Sequence, residues 1–87
     1  MKYIKKPVIV EAFRLHVDNE IPEWFIEKLE EHKIILLDDG NCLINTLEGV
    51  IHSQKGDYIV KDFNGEVYSC ESDLFEKTHE KISGNNI

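Results

Sequence analysis

Positive charge is scarce in this chain. One arginine and nine lysines stand against seventeen aspartates and glutamates, a formal net charge of −7. Binding to DNA or RNA needs a basic footprint that displaces counterions from phosphates, so no nucleic-acid partner is expected. Long hydrophobic runs are missing too. None approaches the roughly 18 apolar residues of a membrane span, so no membrane partner is expected. The opening "MKYIKKPVIVEAF" has basic residues, but its apolar run is short, is broken by Glu11 and has no small-residue cleavage site. No secretory signal is read there, and the expected compartment is cytoplasmic. Only two cysteines occur, Cys42 and Cys70, without a C-x-x-C spacing. They are expected to be reduced, and they make no metal site.

The chemical motifs are absent as well. There is no G-x-S-x-G, no S-x-x-K, no P-loop and no G-x-G-x-x-G. His16, His32, His52 and His79 are scattered, with no H-x-x-x-H pair to suggest a metal. Cys70 lies among Glu66, Glu71 and Asp73, which disfavour a thiolate. Cys42 sits in an apolar strand and reads as a small core residue. The expectation is a protein that is not an enzyme, with no cofactor and no metal.

What is present is enough for one modest core. A chain of 87 residues buries about 60–65% of its unfolded surface. A single domain over residues 1–83, with 84–87 as a flexible tail, is expected. "KPVIVEAFRL" alternates as a strand with apolar residues on both sides, so it reads as central or helix-covered. "IPEWFIEKLEEHK" reads as a helix with Pro22 at its first position. Its apolar face holds Ile21, Phe25 and Leu29, flanked by Trp24 and Ile26. "IILL" and "CLINT" form a hairpin around "DDGN", where Gly40 is free to take positive φ. "LEGVIHS" is a further strand after a corner at Glu48-Gly49. "SDLFEKTHEKI" closes as a helix with Ser72 as N-cap and Phe75, Thr78, His79 and Ile82 as its inner stripe. The fold class is α+β, a small, mostly antiparallel sheet of about five strands with two helices.

The stretch "QKGDYIVKDFNGEVYSC" holds the strongest local signal, an Asn-Gly pair between two β-rich runs. A two-residue loop pairs Lys61 with Tyr68, and a four-residue loop pairs Lys61 with Glu66. Both put Ile59, Lys61, Glu66, Tyr68 and Cys70 on one face, and Tyr58, Val60, Val67 and Ser69 on the other. The four-residue loop also sets Lys61 against Glu66.

Three residues are candidates for holding a ligand. Arg14, the only arginine, has the planar fork that grips phosphate or carboxylate. Trp24 and Tyr58 offer flat rings for stacking or for an interface. If Arg14, Trp24 and Tyr58 converge, they line a pocket of nucleotide size. The structural alternative is that Trp24 caps the core and Arg14 is simply exposed.

The ordered set "KKPVIVEAF", "IPEWF", "NTLEGV", "KGDYIVK", "GEVYSC" and "DLFEKT" resembles a group of small proteins of phages and prophages. These recur with KKPV-x-VEA, IP-x-W, TLEG, PGDYI and GE-x-Y-x-C. The resemblance runs from Lys5 to about Thr78. It departs at Lys55, where the group has proline, and at Ser69, where the group often has proline before the cysteine. It implies a phage origin, and cytoplasmic here then means the host cell. The expected function is a phage-encoded, non-enzymatic binding protein that inhibits host defence. Such a protein would occlude a host protein or sequester a small anionic nucleotide. The alternative is a structural or replication accessory module that binds phage proteins and forms a small homo-oligomer.

Overall fold

The computed structural model describes residues 1–4 and 6–82; the expected tail over 84–87 lies outside them. In chain order the elements are β1 (Glu11–Arg14), α1 (Glu23–Glu30), β2 (Ile34–Leu36), β3 (Cys42–Thr46), β4 (Gly49–Ser53), β5 (Tyr58–Lys61), β6 (Val67–Cys70) and α2 (Ser72–Thr78). The class is α+β. Among the described residues the strands number six and form two three-stranded antiparallel sheets, β1-β5-β6 and β2-β3-β4, where one sheet of five was expected. Strands this short cannot each span a domain, so two small sheets close on one core instead.

That core is built from alternate residues of both sheets plus one helix face. Phe13 and Ile59 are opposite each other on β1 and β5. They meet Ile34, Cys42 and Ile44 of the second sheet, with Phe25 of α1 between them, and all six are buried. Leu15, Trp24, Leu29, Ile51 and Val67 complete the cluster. The Phe13 ring stands edge-on to Phe25 at 4.6 Å and to Trp24 at 5.9 Å, both at 73°. Edge-to-face pairs add about 0.5–1.5 kcal/mol each beyond their buried area.

Helix α1 is shorter than its 21–33 pattern. Pro22 is the N-cap rather than the first helical residue, and Ile21 and Ile26 are exposed, so Phe25, Leu29 and Trp24 alone make the inner face. The helix ends because His32 takes a left-handed φ of 61°. The amide of Lys33 donates to Lys28 O and that of His32 to Leu29 O. This paired closure usually falls to glycine.

Strand β1 spans four residues, not ten, and lies at a sheet edge rather than the centre. Its partner β5 ends at Lys61, opposite Glu11, so residues 6–10 run past the ladder. Helix α2 also stops early, at Thr78, and its N-cap is Glu71 rather than Ser72. Of its expected stripe only Phe75 is partly covered; Thr78, His79 and Ile82 are exposed.

The β5–β6 hairpin corrects both expected registers. Asp62 pairs with Glu66 through a bond from Asp62 N–H to Glu66 O at 2.9 Å, and Gly65 N–H closes the turn on Asp62 O at 3.0 Å. Gly65 holds φ at 84°. The loop is therefore three residues, a tight turn plus a left-handed glycine. The Asp62 carboxylate locks it by accepting the amides of Asn64 and Glu66. The β2–β3 hairpin repeats this pattern, with Leu37 N–H donating to Asn41 O and Gly40 at φ 89°. An odd loop shifts the pairing by one residue and exchanges the faces of β6. Lys61 lies opposite Val67 and Tyr58 opposite Cys70. Val67 and Ser69 accordingly share the face of Ile59 and Lys61, while Tyr68 and Cys70 share that of Tyr58 and Val60. Lys61 pairs not with Glu66 but with Glu11, at 3.3 Å.

Candidate functional site

Arg14 and Tyr58 do come together. They are direct partners across the β1–β5 ladder, and the guanidinium carbon lies 5.7 Å from the Tyr58 ring centroid. Arg14 Nε donates to Gly56 O at 2.8 Å, so the fork is partly engaged in tying the 54–57 turn to β1. On its other side Tyr58 stacks on Phe75 at 4.1 Å, and Phe75 stacks on His79 at 4.1 Å. The result is a column of four flat groups that fastens α2 to the outer face of the first sheet.

Trp24 is not part of it. Its ring packs against Phe13 and Phe25, and Lys61 Nζ stands 5.9 Å from its centroid. Phe13 and Lys61 point to the face opposite Arg14 and Tyr58, because neighbouring residues of a strand alternate. The sheet thus separates Trp24 from the other two, and the three line no common pocket. Trp24 flanks the core, the structural alternative to a ligand role.

Among the described residues, no group of three or more His, Cys, Asp or Glu is placed to hold a metal ion. Burial pushes the Cys42 thiol up from its ordinary range, the Ser53 hydroxyl opposes this in part, and the nearby Asp57 adds a smaller upward push. Cys70 is also pushed up, by burial first and then by Glu71 and Asp57. A thiol shifted this way is a poorer nucleophile at neutral pH. Cys42 and Ser53 face each other across β3 and β4 and both are fully buried. Among the described residues the Ser53 hydroxyl has no conventional hydrogen-bond partner, which leaves it there only the weak contact to that thiol.

A different place has the form of a binding site. Where the two sheets part, a groove of about 760 Å³ opens between the β3–β4 corner and the β5–β6 loop. Its floor is apolar and comes from Ile34, Ile44, Ile51 and Val67. Lys28, Lys33, Glu48 and Glu66 also line it. Lys28 is held by Glu31 at 3.6 Å. Leu47, at the β3–β4 corner, lines the groove and is 99% exposed. Phe63 lies in the opposite loop, next to the lining residues Asn64 and Gly65, and is 76% exposed. Two large apolar side chains at two turn tips gain nothing from their own fold, because neither is removed from water.

The sequence did carry a signal for this site. Turn tips are normally polar or glycine-rich, and "NTLEGV" and "KDFNGE" each place a large apolar residue there. That the two tips flank one groove depends on how the sheets pack.

Comparison with known families, with curated proteins and with solved structures finds no match to this chain. The likeness to small phage proteins rests on the ordered motifs alone.

Proposed function

We propose that this is a non-enzymatic binding protein that seats an apolar side chain of a protein partner in the groove between its two sheets. The apolar floor with exposed Leu47 on its lining, and exposed Phe63 in the loop whose Asn64 and Gly65 line the groove, carry this reading. Exposed aromatic and aliphatic side chains around a concave apolar centre are the ordinary anatomy of a protein-binding hot spot. The net charge of −7 steers the protein toward partners with basic surfaces and speeds their encounter. Taken with the resemblance to phage proteins, the partner is a host protein, and blocking its surface is the action. Sequestration of a small nucleotide draws less support, since Trp24 is parted from Arg14 and Tyr58.

The test is capture of a partner from infected-cell lysate by the tagged protein, set beside the double variant Leu47→Asp, Phe63→Asp. Both side chains are exposed, so the variant keeps the fold, checked by circular dichroism. The expected result is one host protein at near-stoichiometric yield with the native chain, at least tenfold less with the variant, and weakened by salt. Equal capture by both chains, or recovery of phage proteins or bait alone, overturns the reading.

A further inference from the structure

The segment leading into β1 is unlike the rest of the chain. Residues 1–10 contain Lys2, Lys5 and Lys6 and no acid, whereas all seventeen acidic residues lie after them, with only seven basic ones. The described part of this arm forms no helix or strand, and its apolar side chains point into water. Ile4 is 93% exposed and Ile9 70%, with Tyr3 and Val8 also exposed. The arm runs directly into β1, whose only ladder partner among the described residues is β5. On the other edge of β1, Arg14 N–H already donates to Asp18 Oδ2, and Arg14 O accepts from the amides of Val17 and Asp18. The open backbone groups of that edge are therefore those of Ala12, a short template for another strand. A groove of about 560 Å³ is lined by Ala12 and Phe13 of that strand and then by Asp18, Glu20, Ile21 and Pro22, with Lys81 as its one cation. Ile21 is itself exposed.

We infer that the arm of one copy lies antiparallel along the β1 edge of a second copy, joining the two β1-β5-β6 sheets across a two-fold axis. The occupant is a second copy because this chain supplies both halves of the match: a basic apolar arm and an acidic groove beside an open edge. Antiparallel pairing around Val8–Val10 sets Lys6 beside Ala12 of the partner subunit, on the wall of that groove, and carries Lys2 past Arg14 of the partner subunit, toward the stretch that holds Asp18 and Glu20. Like charges would meet instead if the arms ran parallel. Pro7 suits an edge position, where no ladder donor is needed. The two-fold makes the contact reciprocal, so both arms are covered and the assembly closes as a dimer. This proposal is independent of the groove between the sheets, which lies among other residues.

Sedimentation velocity on the full chain at 1–100 μM, at about 0.1 M and 0.5 M salt, tests it. The expected native result is a dimer whose dissociation constant rises at least tenfold at the higher salt, as exposed charge pairs are screened. Ile9→Asp with Val8→Asp should be monomeric throughout, with an unchanged circular dichroism spectrum. Lys2→Glu, Lys5→Glu, Lys6→Glu is the second variant. It leaves every apolar side chain in place and should also be monomeric. A native chain that stays monomeric at 100 μM, or a dimer that both variants retain, overturns the inference.

Discussion

Replacing Gly65 tests the hairpin that decides which side of β6 faces the core. Gly65 holds φ at 84°, in the region where a Cβ costs an L-residue about 1–2 kcal/mol. A Cβ built there meets no atom within 4 Å, so the cost is backbone strain alone and no clash adds to it. Gly65→Ala should therefore lose about 1–2 kcal/mol. Gly65→Asn should lose less, because asparagine visits this region more readily. For a chain of this length, 1 kcal/mol moves the midpoint of thermal unfolding by about 4–8 °C. Urea denaturation followed by tryptophan fluorescence, with thermal melts alongside, gives both numbers. An alanine variant as stable as the native chain, or an asparagine variant less stable than alanine, would refute the three-residue loop. The loop matters beyond its own strain. It sets Val67 on the Ile59 face, against the core, and a loop shorter or longer by one residue would set Tyr68 on that face instead.

Three further outcomes follow from the packing. Ser53→Ala removes a buried hydroxyl that lacks a conventional partner, so it should be neutral or stabilising by up to about 1 kcal/mol in urea, where a loss above that would show the hydroxyl to be well bonded. Phe75→Ala removes the middle of the Arg14–Tyr58–Phe75–His79 column and should cost about 1–2 kcal/mol. Amide exchange should quicken over 72–78 and stay slow in β5, whereas equal quickening in both would mean that α2 and the sheet unfold as one. The raised Cys42 thiol gives a sign for alkaline pH. Its folded value lies above its unfolded one, so the stability it contributes is whole below the ordinary thiol range and is lost as pH rises through and above it. Stability measured from pH 7 to 10 should fall more steeply for the native chain than for Cys42→Ala, and parallel curves would dismiss the effect.

Much of the fold was legible in the residues because local chemistry was strong. The β2–β3 and β5–β6 hairpins follow from β-rich runs around Asp-Gly and Asn-Gly, and α1 from the period of Phe25 and Leu29. The ends of elements were not legible. Helix α1 stops where His32 closes it with a left-handed turn that histidine seldom makes. Strand β1 stops where β5 no longer pairs with it, a limit set by another part of the chain.

The sequence by itself determined the class, the number of helices, the hairpin positions and the acidic character, since each depends on neighbours in the chain or on composition. Tertiary structure decided the rest. Whether a hairpin loop is even or odd is a difference of one hydrogen bond, from Asp62 N–H to Glu66 O, and it reverses every side chain of β6. The first sheet separated Trp24 from Arg14 and Tyr58, because its two faces cannot meet. The packing of the two sheets brought the turns that carry Leu47 and Phe63, sixteen residues apart in the chain, to one groove. Proximity between distant segments is fixed by which apolar faces bury each other, and no local pattern records that choice.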